Sequence, residues 1–241
     1  MSDILARLIE RPVGPSFELG QYRVTRSTTH TENQEVFEFR YQSYSEAGFI
    51  LEQEFPSGKL EDRFDSVAAQ IIVRSDAGNL VGSTRFVRPS ALGFHTETLF
   101  DFDLPPIDRM RIGEFGRLAV SMDHRGGTRL VMLAMLKAVF ECMIESGTTH
   151  VIAFLPPKLA DSFAGLGCKH LALRTRDLRP ITLENRRPMK PYFENQRPIP
   201  VLYDLEDMLR DVGVKQSKPL ARTRLNSFRP ELTFLSQVRV D

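Results

Sequence analysis

The chain has 241 residues, 41% hydrophobic and 26% charged, with a formal net charge of +1. That balance suits a globular protein with a substantial core and excludes a whole-molecule field drawing it to nucleic acid or an anionic membrane. The two cysteines, Cys142 and Cys168, and five scattered histidines show neither a disulfide framework nor metal-ligand spacing. Met1 to Pro12 carries Asp3 and Glu10 and lacks an apolar stretch of signal length, and the longest clean apolar run, Leu130 to Leu136, is too short to span a bilayer. A cytoplasmic protein with no integral membrane segment is expected.

Ser2 to Arg11 has the pattern of a short amphipathic helix ended by Pro12, and Tyr22 to Arg26 reads as a first strand. Thr31-Glu32-Asn33-Gln34 has the form of a capping box opening a helix to about Ala47. A 100° period puts Val36, Phe37, Tyr41 and Tyr44 on one arc, with Arg40 in its middle. Phe49 to Phe64 is irregular, turns at Pro56-Ser57-Gly58, reads as a mobile flap and ends in Asp62-Arg63-Phe64-Asp65. Ser66 to Arg74 is a near-continuous apolar strand, Asp76 to Asn79 a hairpin turn, and Leu80 to Arg88 the return strand. Alternation places Arg85 on the face of Val81 and Val87.

Ser90 to Ile107 is a loop with more apolar surface (Phe94, Leu99, Phe100, Phe102, Leu104) than solvent exposure needs. Ile112 to Val120 then reads as a central strand, and Ser121 to Thr128 as a glycine-containing turn. A helix follows from Thr128 to about Ser146, apolar almost all round and ended by Gly147. Thr149 to Leu155 is a strand stopped by Pro156-Pro157, Lys158 to Leu166 a short helix capped by Gly167, and His170 to Arg174 another strand. Beyond Arg179 the chain is rich in proline and arginine, with one clear helix at about Leu202 to Val212. This order predicts an α/β fold: a mixed sheet with helices on its faces in residues 1–178, and a C-terminal extension, 179–241, packed on the same domain.

The chemistry gathers in six charged residues. Arg40 and Arg85 lie on predicted apolar faces, where an unpaired guanidinium costs several kcal/mol, and Asp62, Asp65 and Glu114 are available to pair with them. Any one of these charges reads more readily as a surface or capping residue; together they point to a site. Glu114 and Arg117 stand three apart, so a regular strand would put them on opposite faces. If both serve one site, a β-bulge is required, expected at Gly116. A bulge would also splay this strand from its neighbour and free backbone N–H groups near Leu118, Ala119 and Val120 to polarise a thioester carbonyl. Arg125, Gly126, Gly127 and Thr128, at a helix start, could hold a phosphate of an anionic thioester donor. Cys168, after a glycine and with no histidine arrangement around it, reads as a packing residue.

From about Arg23 to Arg174 these motifs resemble the acyl-homoserine-lactone (autoinducer) synthases and related N-acyl amino acid synthases, within the GNAT acyltransferase group. The resemblance rests on Arg40 with Tyr44 four residues on, Asp62-x-x-Asp65, the hairpin Arg85, Glu114-x-x-Arg117, and Phe163-Ala164-Gly165-Leu166-Gly167-Cys168. Each is weak alone, but in this order they are specific. The resemblance implies a GNAT-like, mostly antiparallel central sheet with helices on both faces. It also implies an N-acyltransferase needing no metal or redox cofactor, the acyl donor being a thioester on the phosphopantetheine of acyl carrier protein, or acyl-CoA. Autoinducer synthases carry a tryptophan after the first Arg motif; this chain has none, and Gly48-Phe49-Ile50 occupies the region. The GNAT diphosphate loop is contracted to Arg125-Gly126-Gly127-Thr128, which asks for one phosphate rather than two. Both departures favour an N-acyl amino acid synthase using acyl carrier protein as partner and an amino acid as acceptor, whose lipid product would bring the enzyme near membranes. Glu114 and Arg117 are then expected in catalysis, with Arg40, Asp62, Asp65 and Arg85 binding the acceptor. The helix from Thr128 to Glu145 and the loop from Phe94 to Phe102 are expected to wall the acyl pocket. An acyl-homoserine-lactone synthase, another acyl-CoA-dependent N-acyltransferase, and a non-catalytic acyl- or lipid-binding domain are the alternatives.

Overall fold

The structure, a computed structural model, describes residues 16–125, 129–165, 168–176 and 180–208. The helix expected over residues 2–11, Gly126, Gly127, Thr128 and Gly167 lie outside them. An eight-stranded sheet runs in the order β1 (Ser16–Leu19), β2 (Tyr22–Arg26), β3 (Ala68–Ser75), β4 (Leu80–Val87), β5 (Ile112–Val120), β6 (His150–Leu155), β8 (Ile199–Asp204) and β7 (His170–Ala172). Neighbours are antiparallel except β5 and β6. This is the mixed, mostly antiparallel sheet the sequence led us to expect.

Helices α3 (Arg129–Glu145) and α4 (Pro157–Gly165) cover one face. The other carries α1 (His30–Glu46), α2 (His95–Leu99), α5 (Pro180–Arg186) and α6 (Lys190–Gln196). Strand alternation sorts the side chains. In β3, Ala69, Ile71 and Val73 join the α3-side cluster, while Ile72 packs on Val36 and Phe37 of α1. The α3 face is closed by a continuous apolar cluster including Val131, Leu133, Met135 and Phe163. The α1 face is divided into smaller apolar groups around the charged residues.

Several local expectations need correction. A strand, β1, precedes the first predicted one and pairs with it. Helix α1 is capped two residues earlier than the Thr31 box: Thr29 accepts from the Glu32 N–H, and Glu32 accepts from the Thr29 N–H. The β3–β4 pairing slips between Val73 and Arg74, so Val81 faces α3 while Val87 packs beside Phe64 and Ile112. Arg85 therefore shares its face with Val87 alone. The expected flap is pinned down: Ile50, Leu60 and Phe64 are buried, the Leu60 N–H donates to the Phe37 carbonyl (3.0 Å), and the Leu51 N–H to that of Pro188 (2.9 Å). The aromatic loop contains α2. Leu202, expected to open a helix, lies in β8, with helical residues at 205–208. Strand β8 sits between β6 and β7, so the segment beyond residue 178 supplies an inner strand of the sheet.

Candidate active site

The Asp62–Asp65 segment illustrates how capping and chemistry coincide. Asp62 accepts from the Phe64 N–H (2.9 Å) and Asp65 from the Asp62 N–H (2.8 Å), which closes a 3-10 turn over Arg63–Val67. The same carboxylates collect three arginines. Arg40, fully buried on α1, donates to Asp65 Oδ1 (3.0 Å) and to Gln70 Oε1, while Gln70 Nε2 donates back to Asp65 (2.9 Å). Arg85 reaches Asp62 (2.7 Å) and Asp65 (3.0 Å), and Arg117 donates to Asp62 Oδ2 (2.6 Å) and to Met189 Sδ (3.3 Å). Glu114 accepts from the Thr96 N–H at Oε2 (3.0 Å) and lies 3.8 Å from Arg85 at Oε1. All six charged residues singled out in the sequence thus meet in one cluster.

Glu114 and Arg117 share a face because of a bulge. Arg85 pairs with Gly116 and Ser83 with Ala119, leaving Arg117 and Leu118 both opposite Thr84. The bulge falls at Arg117, one residue beyond the expected glycine, and Arg117 adopts a left-handed φ of 55°. The Thr84 hydroxyl donates to the Gly116 carbonyl (2.9 Å), satisfying a group the bulge displaces. On the other edge, β5 pairs with β6 only from Ile112 to Glu114, while β6 goes on pairing with β8 as far as Leu155. The two strands part beyond Glu114, and among the described residues β5 has no strand partner on that edge from Phe115 to Val120, where the Val120 carbonyl accepts from Arg125 Nε instead.

Burial and charge set the protonation states. Burial would raise Asp62, but Arg117 and Arg85 hold it well below the usual carboxylate range; Arg40 and Arg85 likewise hold Asp65 down against burial. Burial lowers Arg40 to about 10 despite Asp65, whereas for Arg85 the pull of Asp62, Asp65 and Glu114 outweighs burial and raises it. Glu114 goes the other way: burial pushes it up to about 7, against the opposing effects of Arg85 and the Thr96 N–H. His95, lowered well below its ordinary value by burial and then by Arg117, is neutral at neutral pH.

His95, Gln70, Thr96 and Met189 escaped the sequence reading. Gln70 left a signal, a lone polar residue inside the apolar run of β3; the others sit where no periodicity operates. Arg125 is engaged within the fold: its Nε donates to the Val120 carbonyl (2.9 Å) and its Nη2 to that of Ser43 (2.7 Å), tying the end of β5 to α1. The two expected acyl walls lie on opposite faces of the sheet: α3 packs in one cluster, whereas Phe94 packs in another and Phe100 makes tilted ring contacts with Phe154 and Phe193. Cys168 is buried in the α3-side cluster. Among the described residues, no three His, Cys, Asp or Glu are placed to hold a metal, and no helix is long and apolar enough to cross a membrane.

The sheet, with its parallel pair parting beyond Glu114, has the fold of solved acyl-homoserine-lactone and N-acyl amino acid synthases. The acyl-homoserine-lactone synthase LasI superposes with a TM-score of 0.54 at 13% identity, over 76% of this chain and 89% of its own. The N-acyl amino acid synthase FeeM from uncultured soil microbes gives 0.54 at 11%, over 79% and 93%; the CoA-dependent acyl-homoserine-lactone synthase BjaI gives 0.55 at 16%, over 86% and 92%. At these identities the likeness is one of fold. The family model described as N-acyl amino acid synthase FeeM matches residues 35–174, more than half of the chain and every charged member of the cluster. The chain belongs to that family and is an N-acyltransferase. No curated protein matches it in sequence.

Proposed function

We propose that this enzyme transfers a fatty acyl chain from an acyl carrier protein thioester to the α-amino group of an amino acid. The observation that carries the reading is the charge count of the buried cluster. Three guanidiniums (Arg40, Arg85, Arg117) face two carboxylates held ionised (Asp62, Asp65), with Glu114 half-protonated near pH 7 and His95 neutral. The cluster carries surplus positive charge, and Arg85 Nε and Nη2, Arg117 Nε and Glu114 Oε1 are buried without hydrogen-bond partners among the described residues. A zwitterionic amino acid supplies what is missing, its carboxylate for the guanidiniums and its ammonium for Glu114. Glu114, poised near neutrality, takes the first proton from the ammonium.

The thioester arm fits the opening where β5 leaves β6, its amides meeting the unpaired β5 edge and its carbonyl meeting N–H groups near Leu118, Ala119 and Val120. Arg125, Gly126, Gly127 and Thr128 would meet the arm's phosphate. Because Arg125 already serves two backbone carbonyls, this short turn suits the single phosphate of a carrier-bound arm better than a diphosphate. The apolar cavity between α3, α4 and the sheet, lined by Phe115, Leu136, Phe140 and Phe163, measures only about 20 Å³, so an acyl chain entering there must displace α3 side chains.

Purified enzyme supplied with acyl carrier protein thioester and mixed amino acids is expected to yield an N-acyl amino acid by mass spectrometry. A higher kcat/KM with the carrier thioester than with acyl-CoA is expected, falling steeply with salt as an acidic carrier's docking weakens. Equal values for the two donors remove the carrier claim, and absence of any N-acyl product removes the reading.

A further inference from the structure

Water reaches the charged cluster at its rim rather than its centre. The side chains of Asp62 and His95 are 19% and 12% exposed, whereas that of Glu114 is 1% exposed and those of Arg40 and Arg85 are fully buried. Glu114 therefore sits behind the water-facing rim of the cluster, where Asp62 and His95 lie. The half-buried Tyr44 also borders the three arginines, but burial raises its phenol and keeps it protonated, so it cannot accept a proton from nitrogen. Asp62 is committed to Arg85 and Arg117.

His95 is held with care. Its ring packs between Phe64 and Phe154, at centroid distances of 5.8 and 5.6 Å, and its Nε2 edge faces Asp62 Oδ2 at 4.0 Å. Phe154 belongs to β6, and Asp62 is bonded to Arg117 of β5, so the imidazole stands over the place where the strands part. Helix α2, which carries it, is fixed at both ends: the Thr96 N–H donates to Glu114, the Phe94 N–H to Glu97 Oε2 (3.0 Å), Arg186 Nε to the Leu99 carbonyl (2.6 Å) and Asn185 Nδ2 to that of Thr98 (3.0 Å). One backbone step separates the imidazole from the residue that holds Glu114.

We propose that His95 is the proton shuttle of the transfer step, carrying a proton from the attacking nitrogen to the departing sulfur. This rests on the N-acyltransferase reading above. The chemistry requires two protons to leave the acceptor's ammonium. The first goes to Glu114 before attack. Attack on the thioester carbonyl forms the C–N bond and a tetrahedral intermediate whose nitrogen is positive. His95 takes that nitrogen's proton, the C–S bond breaks with its electron pair on sulfur, and the imidazolium gives the proton to the thiolate. Amide and thiol result, with one net proton released through Glu114. The groups facing His95 fit such a role: Arg117 and Arg85 disfavour a lasting positive charge on the ring, Asp62 and Asp65 relieve its transient one, and Phe64 and Phe154 pack against the ring and hold its orientation. An imidazole that is neutral at rest accepts the proton, and one that is acidic once charged readily returns it to sulfur. Two titratable groups driven in opposite directions by their surroundings divide the proton transfers between them.

The test uses His95→Gln, which keeps a hydrogen-bonding side chain but cannot shuttle a proton. Wild type and variant are compared on the N-acetylcysteamine thioester and the 4-nitrothiophenyl thioester of one acyl chain, with thermal unfolding as the fold control. The alkyl thiolate needs a proton to leave well; the nitrothiophenolate does not. We expect kcat to fall at least tenfold on the alkyl thioester and threefold or less on the aryl one, with little change in Tm. A near wild-type kcat on the alkyl donor, or equal losses on both, overturns the proposal. Failure of the wild type to form any N-acyl amide would instead defeat the functional reading on which it rests.

Discussion

The two faces of one sheet solve opposite problems. On the α3 face the side chains from β2 to β8 merge into one apolar cluster held mainly by packing, with the Lys137–Glu141 ion pair of α3 buried beside it. On the α1 face the same strands present Gln70, Arg85 and Glu114, all at most 2% exposed, which ordinary burial would penalise by several kcal/mol each. The second face is tolerable because each charge was given a partner by a local irregularity: a self-capping turn at Asp62–Asp65, a bulge at Arg117, a short helix delivering the Thr96 N–H. The comparison teaches that regular secondary structure builds the stable face, and departures from it build the reactive one.

The sharpest way to break that comparison is at Glu114. Glu114→Gln cannot accept the ammonium proton, and kcat is expected to fall by ~100- to 10,000-fold at neutral pH, with part of the loss recovered as the amine's own pKa is approached. Near wild-type activity at neutral pH would sink the assignment. The same variant has a stability signature. A carboxyl raised from 4.5 to about 7 on folding binds its proton more tightly in the native state, so it stabilises below the unfolded value and that contribution drains away as pH rises towards 7. The shift corresponds to on the order of 3 kcal/mol, and urea unfolding of Glu114→Gln between pH 4.5 and 7.5 should lack that decline. Asp62 and Asp65 act with the opposite sign. Their folded values are depressed, so their contribution is present above about pH 4 and is lost as acid protonates them.

Arg40→Ala leaves Asp65 and Gln70 facing an emptied, dry site and is expected to cost about 3–5 kcal/mol in denaturant unfolding. A cost below about 0.5 kcal/mol, as at an exposed position, would mean that the guanidinium is not enclosed. Leu133→Ala on the α3 face is expected to cost a similar ~2–5 kcal/mol by opening a cavity, but with no dependence on pH between 5 and 8. If Leu133→Ala and Arg40→Ala respond identically to pH, the contrast between the faces fails. The smallest effect belongs to the α1 cap. Thr29→Ala removes the acceptor for the Glu32 N–H and should lower stability by about 1 kcal/mol, leaving KM and kcat near wild type.

How far these features were legible follows from the range of the forces involved. Arg40 was placed correctly because a single helical period governs its arc. The need for a bulge near Gly116 was legible because Glu114 and Arg117 could not otherwise share a face. The face of Val81 was misjudged for the same kind of reason, a bulge in β3–β4 that alternation does not announce. The Thr31 and Thr29 caps differ by two residues in a run of Ser27, Thr28, Thr29 and Thr31, where several hydroxyls compete for one helix start. His95 was invisible, since the loop around α2 has no period and its histidine gains meaning only from Asp62, over thirty positions away. The place of β8 was equally hidden, because strand order depends on contacts between distant segments.

That place has a consequence for how the chain is made. On the ribosome, β6 is complete at Leu155, yet its antiparallel partner begins only at Ile199, 44 positions later (199 − 155). At ~5–20 residues per second, the nascent chain carries an open strand edge on β6 for roughly 2–9 s. During that interval β7 has been synthesised but has no strand to pair with, since its ladder is formed with β8. Such an edge invites pairing with another chain. Slow translation or early termination between Leu155 and Ile199 should therefore send this protein into aggregates rather than into a smaller native domain.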